Sequence, residues 1–145
     1  MKRKKIETSK SRNIEIQLKG IELLSSNQYM LAPGTINPGN FKFNINIETK
    51  VDALDKLLFA IVHVEILTEN QSIALGAISV NCIFELKNFD AIIKTESTGK
   101  IALPQQLLDI VNSISISTTR GVMFASFKGT PLHNAFLPMI EPQPF

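Results

Sequence analysis

The feature that most constrains the fold is a nearly unbroken run of β-branched, aliphatic and aromatic residues at positions 57–67, LLFAIVHVEIL. A strand with one face in water alternates apolar and polar side chains, whereas a run of this kind is typical of a strand covered on both faces. The sequence therefore predicts a sheet that needs apolar cover on each of its two sides.

Three further segments carry strand patterns. Residues 41–51 alternate cleanly between apolar and polar side chains, and the second half of residues 73–86 does the same. Between residues 14 and 23 the apolar phase shifts at Lys19-Gly20, which predicts a β-bulge because side chains along a strand have a period of two. The Pro/Gly-rich segment 27–40 predicts a crossing loop, so we expect four antiparallel strands that form a meander after that crossing.

Helical periodicity occurs late in the chain. Pro104 is placed to occupy the first helical position, and apolar residues then recur at spacings of three and four as far as Ala125. Gly129 predicts the C-terminus of this helix, and an apolar arm that contains several prolines follows from Pro131. The predicted fold class is therefore α+β, with a four-stranded antiparallel sheet, one long helix and an extended C-terminal arm.

One helix cannot cover a four-stranded sheet on both sides, so a second copy of the chain is the expected cover for the remainder. The composition agrees, because 44% of the residues are hydrophobic and only 19% are charged. A chain of this kind either hides apolar surface in an oligomer or uses it for binding. We therefore expect a homo-oligomer, at least a dimer.

The first 12 residues differ from the rest in charge. They hold 6 basic residues and one acid, whereas the rest of the chain holds 9 basic and 12 acidic residues. No aromatic residue lies among these charges and no apolar run follows them, so we expect neither nucleic-acid binding, nor a secretory signal, nor membrane insertion. We expect a disordered basic tail at 1–12 and one domain at 13–145. The single cysteine, Cys82, fits a reducing compartment and predicts a cytoplasmic location.

The sequence contains no recognisable catalytic or metal-binding motif. His63 and His133 have no second ligand at a suitable spacing, and Cys82 alternates with apolar residues as a core side chain does. Residues 97–100, STGK, lack the first glycine and the following hydroxyl residue of a phosphate-binding loop. We therefore expect no catalytic residue, no metal and no cofactor.

Three segments together are similar to the SecB family of export chaperones, over a stretch from about residue 13 to the end. Residues 76–86, GAISVNCIFEL, resemble a family strand that ends in a glycine-x-phenylalanine-x-apolar pattern, here Ile83-Phe84-Glu85-Leu86. Residues 104–121 resemble the family helix that starts at a proline and ends near an arginine–glycine pair, here Arg120-Gly121. Residues 137–140, LPMI, resemble the leucine–proline segment that follows that helix.

The chain also departs from the family pattern. Leu103-Pro104 stands where the family has cysteine–proline, and we expect neither the final helix nor the acidic tail of the family. Glu22 is the one residue that represents the first-strand acids expected to attract the SecA motor. Delivery of clients to that motor is therefore left open, and divergent SecB-like proteins that serve antitoxins offer a second pathway.

The resemblance implies a holdase, a chaperone that binds unfolded polypeptides in apolar grooves for protein export or antitoxin protection. It also implies a dimer or tetramer, with the SecA motor or a toxin–antitoxin pair as further partners. The grooves would be formed by the sheet edge, the crossing loop and the C-terminal arm. The candidate peptide-binding residues are Tyr29, Met30, Leu31, Phe43, Phe84, Phe136 and Leu137.

Two other classes of function stay open. A structural or adaptor subunit would use the same surfaces for one dedicated partner, and would not hold unrelated unfolded proteins. A small enzyme or lipid-binding protein with a helix wrapped by a curved sheet typically places that helix early in the chain. The helix comes last here, which counts against the second class.

Overall fold

Four long strands make up much of the protein, which is described here by a computed structural model that covers residues 13–29 and 40–139. The predicted basic tail at 1–12 and the candidate residues Met30 and Leu31 lie outside the described residues. The strands are β1 (Ile16–Gln28), β2 (Phe41–Asp52), β3 (Leu57–Thr68) and β4 (Ala74–Leu86).

The four strands form one antiparallel sheet in the order β1-β4-β3-β2. β2, β3 and β4 follow one another as a meander, whereas the chain passes from β1 at one edge of the sheet to β2 at the other. This is the arrangement that the sequence predicts, including the crossing between the first two strands. β1 and β2 are the two edge strands.

β1 contains the predicted bulge. Its pairing with β4 shifts register between Leu18 and Gly20, so Lys19 is the extra residue. A second shift lies between Leu23 and Ser25. Bulges bend a strand and increase its twist, and two of them in one edge strand carry β1 away from a flat sheet.

The two faces of β3 differ in burial. On one face Leu58, Ala60 and Val62 are at most 1% exposed. On the other face Phe59 and Ile61 are only partly buried in the single chain. The expected cover on both faces is therefore present on one face alone among the described residues, because the long helix lies on one side of the sheet.

That helix is α2 (Gln105–Ser126), which follows a short helix α1 (Phe89–Ile92) and a two-stranded hairpin of β5 (Lys94–Thr95) and β6 (Ile101–Ala102). Pro104 caps α2 rather than forming its first residue, and its carbonyl accepts the N–H of Leu108 at 3.1 Å. The helix ends three residues before Gly129, whose φ of +78° lies in the left-handed region that glycine adopts readily.

α2 packs on β3 and β4 through one face. Its buried residues recur every four positions, which is the spacing of side chains on one side of a helix. These residues are Leu107, Val111, Ser115, Thr119 and Met123, with Ile116 beside them. The core of the protein is the layer between this helix face and the sheet.

Candidate functional site

Aromatic side chains gather where α2 ends and β2 begins. Phe124 of α2 and Phe136 of the C-terminal arm have ring centroids 6.2 Å apart and an interplanar angle of 19°. The ring of His133 lies 5.3 Å from that of Phe124. Phe124 and Phe136 are 46% and 50% exposed. Together with Phe41 and Phe43 of β2, these three rings form the surface that we call the aromatic patch.

Part of the aromatic patch is concave. Phe41, Phe43 and Phe136 line an open concavity of about 260 Å³, together with Asn40 and Asn134. Phe41 and Phe43 are two positions apart in β2 and therefore point to the same side of the sheet. The concavity is smaller than a typical small-molecule pocket of roughly 300–1,000 Å³. Its size and aromatic lining suit an apolar side chain of a polypeptide.

The C-terminal arm lies against α2 as an extended strip without regular secondary structure. Ala135 and Leu137 are buried, at 4% and 3% exposure, whereas Phe136 between them is half exposed. The guanidinium group of Arg120 holds the backbone of this strip. Its Nε donates to the carbonyl of Leu137 at 2.9 Å and its Nη2 to the carbonyl of Pro138 at 2.8 Å.

A second apolar surface lies along β1. Leu18, Ile21 and Leu23 pair with core residues of β4, so they face the same side of the sheet as α2. They are nevertheless 37%, 49% and 50% exposed, because α2 packs mainly on β3 and β4. We call these three side chains the β1 row. The free edge of β1 has no strand partner within the described chain.

Three of the predicted peptide-binding residues lie at one end of the sheet. Tyr29 follows β1 and is 42% exposed, and its N–H donates to the carbonyl of Leu75 at 3.0 Å. Phe43 and Phe136 belong to the aromatic patch. Tyr29 and Phe43 lie at opposite edges of the sheet, about 14 Å apart across three strand spacings.

Two other predicted residues belong to the core. Phe84 is 0% exposed because the central strand β4 turns its even-numbered side chains toward α2. Leu137 is 3% exposed because the arm folds back against α2. Neither side chain is on the surface of the single chain, which corrects their assignment to a groove.

The sequence interpretation did not select Phe124, His133 or the β1 row. A signal for Phe124 was present, since a large aromatic residue directly after the buried Met123 falls off the apolar stripe of the helix. His133 gave no such signal, because its position beside Phe124 depends on the turn between α2 and the arm.

His63 lies on the sheet face opposite α2, in contact with two polar side chains. Its Nδ1 is 2.7 Å from Oγ of Ser79, and its Nε2 is 3.6 Å from Oε1 of Glu48. A serine, a histidine and a glutamate in this order resemble a hydrolytic triad. Ser79, however, is paired in mid-strand with Ser25 and His63 on both sides, so no free pair of backbone N–H groups surrounds it to stabilise an oxyanion.

Cys82 is a free cysteine whose side chain is buried in the core. Burial raises the pKa of the Cys82 thiol, and the hydroxyls of Ser115 and Thr118 offset that rise in part. A thiol of this kind is inert at neutral pH. Within residues 13–29 and 40–139 no group of three or more potential metal ligands occurs. In the same ranges no helix is both long enough and apolar enough to cross a membrane.

Comparison with known proteins gives a likeness in structure alone. No family model matches the sequence, and no curated protein matches it. A solved structure of the SecB-like chaperone Rv1957 of Mycobacterium tuberculosis, in complex with a ChAD peptide from the Rv1956 HigA1 antitoxin, superposes with a TM-score of 0.53. The identity is 11% over 88% of this chain and 86% of that one. The fold is therefore SecB-like, as the sequence motifs predict.

Proposed function

We propose that this protein is a holdase that binds extended segments of unfolded polypeptides on the aromatic patch and Tyr29. The observation that supports the proposal most directly is a cluster of half-exposed aromatic rings beside an extended strip of chain, on a SecB-like fold. Covering a ring removes apolar surface from water, and this contribution makes little demand on the sequence of the client.

The magnitudes fit reversible holding. Full burial of a large apolar side chain contributes about 1.5–3 kcal/mol. Phe124 and Tyr29 are each a little under half exposed, so a client that covers them would gain about 1 kcal/mol from each. Several such contacts give an affinity that captures an exposed apolar segment and still releases it.

The solved SecB-like neighbour was determined with an antitoxin peptide bound. We therefore propose antitoxin segments and export precursors as the two client classes of this protein, held in the cytoplasm. An adaptor with one dedicated partner is the alternative. The contacts available here favour the holdase over the adaptor. Aromatic rings of this protein can cover any apolar side chain, and the guanidinium group of Arg120 bonds backbone carbonyls, so neither contact selects for a particular side-chain sequence.

The β1 row supports a homo-oligomer. A free strand edge flanked by three exposed leucine and isoleucine side chains is a surface that another chain can extend and cover. We propose that a second copy of this chain pairs there, which would leave the aromatic patch free for clients. Light scattering of the purified protein tests this assembly directly.

The experiment that tests the holdase uses the double variant Phe124→Ser, Tyr29→Ser. Aggregation of an unrelated, chemically denatured protein is followed with and without the variant, and the unfolding midpoint is measured beside it. We expect client affinity to fall about thirtyfold, since about 2 kcal/mol of burial is lost. Each side chain is also more than half buried, so the midpoint should fall by a few degrees, and holding is compared at a temperature well below it.

Leu54→Ser provides the matched control. Leu54 is 91% exposed and lies in the turn between β2 and β3, at the end of the sheet opposite the aromatic patch. It should leave holding unchanged although it removes an equally apolar side chain. The adaptor would become the better interpretation if the wild-type protein suppressed the aggregation of none of the clients but formed a stoichiometric complex with one partner.

A further inference from the structure

The C-terminal arm lies against its own protein as an extended segment. Its buried side chains Ala135 and Leu137 alternate with the half-exposed Phe136, which is the pattern of an extended strand lying on an apolar surface. Phe136 contributes to the aromatic patch from the arm, whereas Phe124 and Phe43 belong to the helix and the sheet.

The contact that holds the arm does not depend on side-chain identity. Arg120 donates through Nε and Nη2 to two successive backbone carbonyls, those of Leu137 and Pro138. No carboxylate among the described residues lies within ion-pair distance of Arg120. The planar guanidinium can present two donors to any extended backbone, including one that contains proline, since proline keeps its carbonyl.

The arm is anchored at Leu132, and the residues after this anchor could detach from the protein while the anchor stays in place. Leu132 is 1% exposed and close enough to the start of β4 that a Cβ on Gly76 would meet its Cδ1. Between Leu132 and Phe136 the chain is held by a turn in which the N–H of Ala135 donates to the carbonyl of Leu132. Beyond that turn, the hydrogen bonds that hold residues 135–139 are those from Arg120, among the described residues.

We infer that residues 135–139 occupy the client-binding surface, and that a client segment displaces them, including Phe136, from the other rings of the aromatic patch and takes over the two hydrogen bonds from Arg120. This inference rests on the proposed holdase function and specifies its ligand. The favoured client segment is extended, is apolar at alternate positions, and tolerates proline. The arm competes with it and thereby sets the threshold for binding.

A spin label on the arm tests the displacement in the full chain. Met139 is 85% exposed, so Met139→Cys accepts a nitroxide label with little disturbance, while the buried Cys82 stays unlabelled. On addition of reduced, carboxymethylated α-lactalbumin as a permanently unfolded client, we expect the label to become several-fold more mobile. A label on Leu54→Cys, at the far end of the sheet, should not change. An arm label that stays unchanged or becomes immobilised while the client is bound overturns the inference.

Affinities for the same client provide the second measurement. Leu137→Ala weakens the docking of the arm and keeps Arg120, so client binding should tighten about tenfold. Met139→Ala is the matched control in the same arm and should bind as the wild type does. Arg120→Ala releases the arm but removes the clamp, so it should bind more weakly than Leu137→Ala, with Arg120→Lys between them.

Failure of this inference is distinguishable from failure of the holdase. Should the wild type suppress aggregation while Leu137→Ala, shown to be folded by its unfolding midpoint, binds no tighter than Met139→Ala, the arm is a fixed part of the core and the holdase survives. Should the wild type hold no client, the proposed function fails first.

Discussion

Gly76 at the start of β4 is a position where the fold predicts a sharp response to a single methyl group. A Cβ added there would lie 2.6 Å from Cδ1 of Leu132 and 2.7 Å from the backbone carbonyl oxygen of Asn27. The leucine side chain can rotate, whereas Asn27 is paired in register with Ala77 and cannot move without shifting β1. Overpacking of this kind typically costs about 1–3 kcal/mol, so Gly76→Ala should destabilise the protein by that amount.

Thermal and urea unfolding at one protein concentration provide the assay. For a chain of about this length, 1 kcal/mol corresponds to a shift of roughly 2–4 °C in the midpoint. Gly121→Ala is the matched control, since its added Cβ meets nothing within 4 Å and it lies inside α2. Alanine in a helix interior is favoured over glycine by about 0.5–1 kcal/mol, so the two substitutions should move the midpoint in opposite directions.

The double variant Gly76→Ala, Leu132→Ala separates the two contacts. Leu132→Ala removes the side-chain clash but leaves the carbonyl of Asn27 in place, so the two changes should be non-additive and a deficit should remain. A Gly76→Ala protein as stable as the wild type, beside a stabilised Gly121→Ala protein, would refute the close approach of β1, β4 and the arm.

Two smaller predictions concern the N-terminus and the cysteine. Removal of residues 2–12 should leave the unfolding midpoint in calorimetry unchanged, because Ile6 is the one apolar residue among them. A fall of several degrees would mean that the tail is docked. Cys82 should react with a thiol reagent only after denaturation. Burial raises the pKa of its thiol in the folded state above the ordinary value of 9.0. Its contribution to the free energy of unfolding should therefore be constant at lower pH and fall as the pH rises past 9.0. Measuring the free energy of unfolding as a function of pH checks whether stability falls in this direction.

The strands and their order were predictable because their signals are local. The alternation in residues 41–51 and the change of phase at Lys19-Gly20 each lie within a few residues, and β-strand geometry converts them directly into faces and a bulge. The second shift, between Leu23 and Ser25, was not predicted, because neighbouring leucines at 23 and 24 fit either phase.

The site was only partly predictable because exposure depends on which neighbour covers a face. Alternation identifies Phe84 as lying on an apolar face, but only the packing of α2 shows that this face is fully covered. Leu137 is buried in an arm whose backbone is held by a hydrogen bond from a helix residue 17 positions earlier, and no short-range pattern predicts that burial. The β1 row is the opposite case, since its apolar side chains point to the core side of the sheet and yet stay 37–50% exposed, because the helix packs mainly on β3 and β4.

The two apolar surfaces call for different occupants, and this difference yields a last prediction. The rings of the aromatic patch outside the arm already have an occupant, residues 135–139, which alternate buried and exposed side chains and are held through their backbone, and this suits an exchangeable segment. The β1 row combines a strand edge that has no partner among the described residues with side chains that stay 37–50% exposed, which suits a lasting partner.

Ile21→Asp would therefore separate assembly from holding. Ile21 is 49% exposed in the single chain, so the aspartate keeps contact with water there at a loss of about 1 kcal/mol of side-chain burial, whereas its charge would be desolvated where a second copy covers the row. We expect light scattering to show a smaller species that still binds the unfolded client with the affinity of the wild type. A wild-type protein that is already monomeric would refute the assembly, whereas loss of client binding together with assembly would mean that the client surface spans two copies.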